Sequence, residues 1–299
     1  MKLSVCIPVY NFDVRELVLD LKKEIENYNI DAEIILIDDA SEENFKTMNA
    51  ELQKEVQTFI FLEDNIGRSK IRNLFLEYSN GEYLLFLDCD GKIISSIFLL
   101  SYIQFIKNNK RPKVIYGGRK VSDLSPDKSH YLRWKFAMER ENQSAEKRQK
   151  KPYLSFQTNN FIINREVLKK VPFNAEYQKY GYEDLLFAME LKDKGIMINH
   201  IDNVIFNNDL ETNDKYLIKI KESIESLAKM QQDEKLKSKI KEIKIIKVFN
   251  RINESFLRAV SVNLFQILKG TLEKKLQKGN VNLRYLDFYK LGLLLKNTN

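Results

Sequence analysis

Along this chain the hydrophobic positions alternate between two periods. Unbroken or nearly unbroken apolar runs at residues 3–9, 33–37, 58–62 and 83–87 are too short for ordinary helices and suit strands buried on both faces. Between them, residues 14–28, 42–55 and 65–79 carry apolar positions at helical spacing, and the third begins at a capping-type residue, Asn65, and stops at Asn80-Gly81. Strands alternating with helices predict a parallel sheet with right-handed crossovers, its ligand loops gathered at the carboxyl edge. The alternation continues with a helix at 97–107, strands at 113–116 and 161–163, a helix at 183–194 closed by Gly195, and a strand at 196–201. Residues 140–151 show no apolar periodicity apart from Ala145, and read as a mobile surface loop or exposed helix end, with a flap over a site as the alternative.

From Asp214 the texture changes. Leu217, Ile220, Ile224 and Leu227 repeat at helical spacing, Leu236, Ile240 and Ile243 continue the stripe, and lysines surround it. The expected organisation is an α/β domain over residues 1–213 and a basic helical region over 214–299. Charge sharpens that division. Of the net +7, residues 215–299 hold +11 (19 basic, 8 acidic) and the rest −4 (30 basic, 34 acidic). The tail is therefore expected to meet an acidic partner or anionic surface, either as a peripheral contact with a membrane or with its stripe packed on the α/β domain or a second subunit in a homodimer. Cys6 and Cys89 sit in apolar runs, which argues against a disulfide framework and suits a reducing cytoplasm. Met1 leads straight into the first apolar run without secretory-signal features, and no stretch reaches the ~18 apolar residues of a membrane span.

The candidate chemistry lies where the fourth run ends, at Asp88-Cys89-Asp90-Gly91. Side chains two apart on a strand share a face, so both carboxylates converge while Cys89 turns away. Adjacent carboxylates repel unless a cation lies between them or one is protonated, and oxygen ligands of this kind suit magnesium or manganese. Polar or acidic groups also close the other strands, at Tyr10-Asn11 and Asp38-Asp39, on the same predicted edge.

Taken in order, Ser4-Val5-Cys6-Ile7-Pro8-Val9-Tyr10-Asn11, Ile37-Asp38-Asp39-Ala40-Ser41, Asn65-Ile66-Gly67, Arg72-Asn73, Gly81-Glu82-Tyr83 leading to Asp88-Cys89-Asp90, and Gly181-Tyr182-Glu183-Asp184 resemble the motifs of the family 2 glycosyltransferases. The resemblance covers roughly residues 3–227 and implies a GT-A fold: a Rossmann-like, mostly parallel sheet flanked by helices, here with a C-terminal helical appendage. It also implies inverting transfer of a sugar from a UDP-sugar to a saccharide or lipid-linked acceptor in bacterial surface polysaccharide or glycoconjugate synthesis. In that reading Pro8, Tyr10 and Asn11 wall the base, with Tyr10 stacking on it. Asp39 accepts hydrogen bonds from the uracil or ribose, while Asp38 is a local cap. Asn65 and Gly67 shape the loop, and Gly67 permits close backbone approach. Arg72 balances acidic neighbours or phosphate oxygens. Asp90 ligates the metal, Asp88 contacts ribose or the metal, and Asp184, with Glu183 beside it for orientation, is the general base at a helix start. Many relatives supply a later His to the metal. This chain has Asn207-Asn208-Asp209 at that place, so Asn207 or Asp209 is the replacement oxygen and a strong manganese preference is not expected. Trp134, the single tryptophan, is expected in a core rather than on an acceptor sugar. Two other readings stay open: a nucleotidyltransferase, whose glycine-rich loop is missing after the first strand, and a non-catalytic nucleotide-sugar binder. No nucleic-acid partner is expected.

Overall fold

In the computed structural model, which describes residues 1–176, 181–207, 209–279 and 281–298, the four apolar runs are strands β1 (Leu3–Val9), β2 (Ala32–Asp38), β3 (Thr58–Phe61) and β4 (Tyr83–Leu87). The helices between them are α1 (Arg15–Asn27), α2 (Glu43–Asn49, extended by a 3-10 turn to Lys54) and α3 (Arg68–Tyr78). α3 starts three residues later than the sequence predicts. Gly67, in the left-handed region at φ 81°, caps it, while Asn65 donates instead to the Asp39 carbonyl at 3.0 Å.

Two units make up the chain. The first comprises residues 1–121, 142–178 and 190–208. Beyond β4 it holds β5 (Gly91–Lys92), α4 (Phe98–Asn108), β6 (Val114–Tyr116), β7 (Arg119–Lys120), a short α6 (Ala145–Gln149), β8 (Asn160–Asn164), α7 (Arg165–Lys170), β9 (Ile198–His200) and β10 (Ile205–Asn207). A seven-stranded sheet runs β3-β2-β1-β4-β8-β6-β9, and a three-stranded one runs β5-β10-β7. All pairings in the large sheet are parallel except those of β8, which lies antiparallel between β4 and β6. The apolar run of β8 does not encode its direction, and the sheet is mostly parallel, as expected. The alternation predicts burial on both faces, and β4 is wholly buried from Tyr83 to Leu87.

With β2 on one side of β1 and β4 on the other, the sheet reverses its winding at β1, where open α/β sheets bind ligands. The β1–β2 ladder runs to Val9 opposite Asp38, whereas the β1–β4 ladder stops at Cys6 opposite Phe86. Pro8, which has no N–H to give a ladder, lies just past that stop, so the strands part and leave a crevice at the carboxyl edge.

The run 140–151 is more ordered than its composition suggests. Ser144 caps α6 by accepting from the Lys147 N–H, and Arg148 is 2% exposed. Its guanidinium donates to the carbonyls of Gln143, Gly117 (3.2 Å) and Ile201 (2.6 Å) and to His200 Nδ1 (3.3 Å), over the Tyr116 ring. Periodicity alone cannot reveal such a residue, because backbone carbonyls rather than apolar neighbours hold it.

The second unit comprises residues 122–141, 179–189 and 209–299. It contains α5 (Tyr131–Phe136) with a π-turn after it, the start of α8 (Glu183–Asp193), and five consecutive helices: α9 (Asn213–Gln232), α10 (Glu234–Ile240), α11 (Lys244–Asn253), α12 (Leu257–Gln277) and α13 (Leu283–Asn297). Thr212 and Asp233 cap α9 and α10 through their side chains. Asn213, 1% exposed, joins three segments: its amide donates to the carbonyls of Lys128 and Gln277 at 2.8 Å each and accepts from the Leu132 N–H at 2.9 Å. α12 and α13 approach closely because Gly292 leaves room for the Phe265 ring, which a Cβ would meet at 2.2 Å. Trp134 is half-buried, its indole donating to the Ser122 carbonyl at 2.7 Å beside the Tyr131 ring.

Candidate active site

Three strand ends in the first unit build the crevice. At β1, Tyr10 is 52% exposed, and Asn11 adopts φ 48° with its N–H on Ser41 Oγ (2.8 Å) and its carbonyl side chain accepting from the Glu42 N–H (2.8 Å). Asn is among the residues that tolerate the left-handed region, so the turn is locally encoded. At β2, Asp38 accepts from the Ser41 N–H at 2.8 Å, the local cap expected of it, and its second oxygen is buried with no hydrogen-bond partner. Asp39 points into the loop ahead of α3, where Ile66 N–H (2.7 Å) and Gly67 N–H (3.1 Å) donate to its two oxygens. Burial, and more weakly the Asp38 charge, still hold its carboxyl above the usual range. Asp39, Asn65 and Gly67 thus form one hydrogen-bonded loop, and Asp39 keeps further lone pairs for a ligand donor.

At β4 the two carboxylates have different surroundings. Asp88 is ion-paired with Arg72 at 2.7 Å and with Arg68 at 3.3 Å. Arg72 is almost wholly buried, donates also to the Arg68 carbonyl, and lies 5.9 Å over the Phe173 ring. Arg68 joins the site although none of the quoted motifs contains it. Its i, i+4 spacing from Arg72 on α3, which puts both guanidinium groups on one helix face, is the signal that could have found it. Cys89 packs against the hydrophobic core, its thiol beside the Tyr10 backbone.

Asp90 accepts from Asn207 Nδ2 at 2.6 Å, and its carboxyl is raised, chiefly by burial and next by the Asp88 charge. The turn that presents it closes with Gly91 N–H on the Asp88 carbonyl at 3.1 Å, and β5 then pairs antiparallel with β10, whose last residue is Asn207. That pairing brings Asn207, one of the two residues expected to replace the missing histidine, to Asp90 across more than a hundred residues of sequence. Asp209 belongs to the second unit, and Asn208 and Tyr180 lie outside the described residues.

A divalent cation fits these groups. A half-buried carboxylate that resists ionisation is relieved by a cation, and the Asn207 amide carries an acceptor as well as a donor. Among the described residues no three His, Cys, Asp or Glu side chains form a full cage. Magnesium characteristically takes only one or two carboxylates and completes its shell with water and substrate phosphates. The two histidines lie elsewhere. His130 pairs with Asp127 at 2.8 Å on the surface, and His200 sits under Arg148 with burial and that charge lowering it to about 4.

Glu183 and Asp184 open α8 within the second unit. Glu183 is 9% exposed and accepts from the Gly181 N–H at 3.0 Å, whereas Asp184 is half-buried and accepts from the Leu185 N–H at 2.7 Å. Tyr182, just before them, adopts φ 68°, a strained conformation for an aromatic residue. Burial and the nearby Asp184 charge raise its phenol, so it stays a hydrogen-bond donor.

An open α/β sheet with paired carboxylates at its switch point, and arginines behind one of them, is the architecture of a GT-A-type fold. The family model described as glycosyl transferase family 2 matches residues 4–172, and the chain belongs to that family. Poly(ribitol-phosphate) beta-glucosyltransferase of Bacillus spizizenii is 31% identical over 116 residues, which make up 37% of this chain and 18% of that protein. The chain thus spans about a fifth of the first curated relatives it matches. Among solved structures, the mannosyltransferase PcManGT of Pyrobaculum calidifontis, in complex with GDP-Man and Mn2+, superposes with TM-score 0.59 at 15% identity, covering 99% of this chain and 85% of that one. Residues 1–349 of S. aureus TarS in complex with UDP-GlcNAc superpose with TM-score 0.54 at 17% identity, covering 100% of this chain and 89% of that one. At such identities the likeness bears on the fold.

Proposed function

We propose that this glycosyltransferase moves a sugar from a UDP-sugar to a hydroxyl of a saccharide or lipid-linked acceptor, with inversion, in the assembly of a surface polysaccharide or glycoconjugate. The observation that carries the reading is the asymmetry at the end of β4: Asp88 neutralised by two arginines, and Asp90, half-buried against Asn207, resisting ionisation beside it. Asp90, with Asp88 and Asn207, would hold a divalent cation, whose chemistry when bound is Lewis-acid stabilisation of the departing diphosphate. The Tyr10 face and the Asp39 carboxylate take the base and ribose, and Pro8, Asn11, Asn65 and Gly67 shape that pocket. In the displacement, Asp184 takes the acceptor hydroxyl proton, the new glycosidic bond forms at the anomeric carbon, and the carbon–oxygen bond to the diphosphate breaks with its electron pair leaving on the phosphate oxygen. Glu183, tied to the Gly181 N–H, holds the start of the helix.

UDP complexes of TarS, and a relative named as a glucosyltransferase on poly(ribitol-phosphate), support a UDP donor and a polymer acceptor. A thermal-shift panel of nucleotide sugars with magnesium or manganese tests the donor. A UDP-sugar at 100 times its dissociation constant adds about 2.7 kcal/mol of stability. Stabilisation by GDP-mannose and not by any UDP-sugar would overturn the donor assignment. Retention of donor binding without hydrolysis or transfer would favour the non-catalytic binder.

A further inference from the structure

The outer face of α12 carries apolar residues that nothing among the described residues covers. Phe256 at its N-cap is 84% exposed, Ile267 78% and Val260 59%, with Leu257, Leu264 and Leu268 also exposed. At 100° per residue these six fall within about a third of the helix circumference. The opposite face, with Phe265, Leu272 and Leu276, is the buried one and packs toward α13. The exposed face therefore adds nothing to the core.

Past Leu268 the same face changes chemistry. Thr271, Lys274, Lys275 and Lys278 continue the row to the end of the helix and, with Lys128 and Gly279, line an open cavity of about 520 Å³ with no acidic residue among the described residues of its wall. The floor is tight: the Lys128 carbonyl lies 2.2 Å from where a Cβ on Gly279 would stand, so the two segments touch there through backbone. One helix face thus presents about three turns of bare hydrocarbon followed by two turns of ammonium groups around a concavity, in the part of the sequence that holds the whole positive excess.

We infer that α12 docks this face on an anionic lipid bilayer, lying in the plane of the interface. Its apolar turns enter the boundary of the acyl chains, and Lys274, Lys275, Lys278 and Lys128 take lipid phosphates. Charge complementarity selects this occupant. A second copy of the chain would bring the same patch. Its lysines would then either oppose lysines or be desolvated against the Phe256 and Ile267 end, and both arrangements cost free energy. A bilayer supplies hydrocarbon and phosphate in the spacing that the face offers, and the amphipathic stripe and flanking cations are what interfacial helices use. No helix among the described residues is long and apolar enough to cross a membrane, so the contact is peripheral. It would hold the enzyme at a surface where lipid-linked acceptors reside. This inference does not depend on the donor assignment.

The test is co-sedimentation of the full chain with phosphatidylcholine vesicles, pure or containing about one third phosphatidylglycerol, at low salt. Two surface variants are compared with wild type: Phe256→Ser with Ile267→Ser, and Lys274→Gln with Lys275→Gln and Lys278→Gln. Calorimetric binding of UDP serves as the fold and donor-site control. The wild type is expected to bind the anionic vesicles and not the neutral ones. The apolar variant should lose about tenfold or more in partitioning, and the lysine variant about a hundredfold, both with UDP affinity unchanged. Equal partitioning by all three proteins, or equal binding to both vesicle types, would overturn the proposal. So would self-association of the wild type in analytical ultracentrifugation that the Phe256/Ile267 variant abolishes, since the face would then be a contact between copies. A loss of UDP binding in wild type would count against the donor assignment and leave the vesicle result to stand on its own.

Discussion

Replacing Arg72 by Met keeps most of the side-chain volume and removes the buried guanidinium that holds Asp88. Breaking a buried ion pair by deleting one partner costs about 3–5 kcal/mol. Here the cost is smaller, because the Asp88 side chain is 23% exposed and Arg68 remains at 3.3 Å, so about 2 kcal/mol is expected. For a unit of this size that corresponds to a fall in Tm of about 4–8 °C. The informative part is its dependence on metal. With Arg72 gone, Asp88 and Asp90 repel more strongly, and a divalent cation at Asp90 relieves both. Magnesium or manganese should therefore raise the Tm of Arg72→Met by more than that of wild type, while Arg72→Lys, which keeps the charge but not the planar fork, falls between them. The assay is calorimetric unfolding in chelator and across a metal titration. A variant within about 0.5 kcal/mol of wild type in chelator, or one whose metal response equals that of wild type, would refute the idea that Arg72 and the cation act on one pair of carboxylates.

Two further outcomes follow, one at the site and one at a histidine outside it. Asp184→Asn should lower single-turnover transfer by about 10²- to 10⁴-fold while calorimetric donor affinity stays near wild type; transfer within a few-fold of wild type would make Asp184 a plain helix-start acid and move attention to Glu183. His200 is held neutral, at about 4 against an ordinary 6.5, so the unfolded chain binds a proton that the fold refuses, and stability falls as pH drops through that window. From pH 7 to 5 this amounts to about 2 kcal/mol, which His200→Asn should remove from the slope of Tm against pH; equal slopes would show that His200 is accessible to protons in the fold.

Much of the fold can be read from hydrophobic spacing because burial on both faces leaves no other reading for residues 83–87, and the same logic places β1, β2 and β3. Direction is a different matter. Asn160–Asn164 is as apolar in its middle as its neighbours, yet it runs antiparallel, which only the path of the intervening chain decides. The carboxylates of the site were legible because acidic residues ending a buried strand are chemically costly without a partner. Their partners were less so. Arg68 lay within a helix, where an arginine usually faces water. Asn207 reaches Asp90 only through the β5–β10 pairing, a two-residue ladder without a sequence signature. Arg148 reads as one more charge in a polar run, and its burial rests on carbonyls that no pattern of side chains displays. Similarly, the stripe at the start of the basic region is core, as Leu217, Ile220, Ile224 and Leu227 show, whereas that of α12 is largely surface. Periodicity identifies an amphipathic face and says nothing of what covers it.

The central claim is that Asp90 holds a cation which in turn holds the donor diphosphate. The direct measurement is calorimetric UDP affinity, with chelator and with magnesium or manganese, in wild type and in Asp90→Asn. Asn is nearly isosteric, and it removes a carboxylate whose surroundings and neighbouring Asp88 resist its charge. Metal should strengthen UDP binding in wild type, with magnesium serving nearly as well as manganese if Asn207 offers an oxygen in place of an imidazole. In Asp90→Asn the metal-dependent part should vanish while the melting temperature in chelator holds or rises. UDP affinity that is the same with and without metal in wild type, or metal dependence that survives in Asp90→Asn, would contradict it.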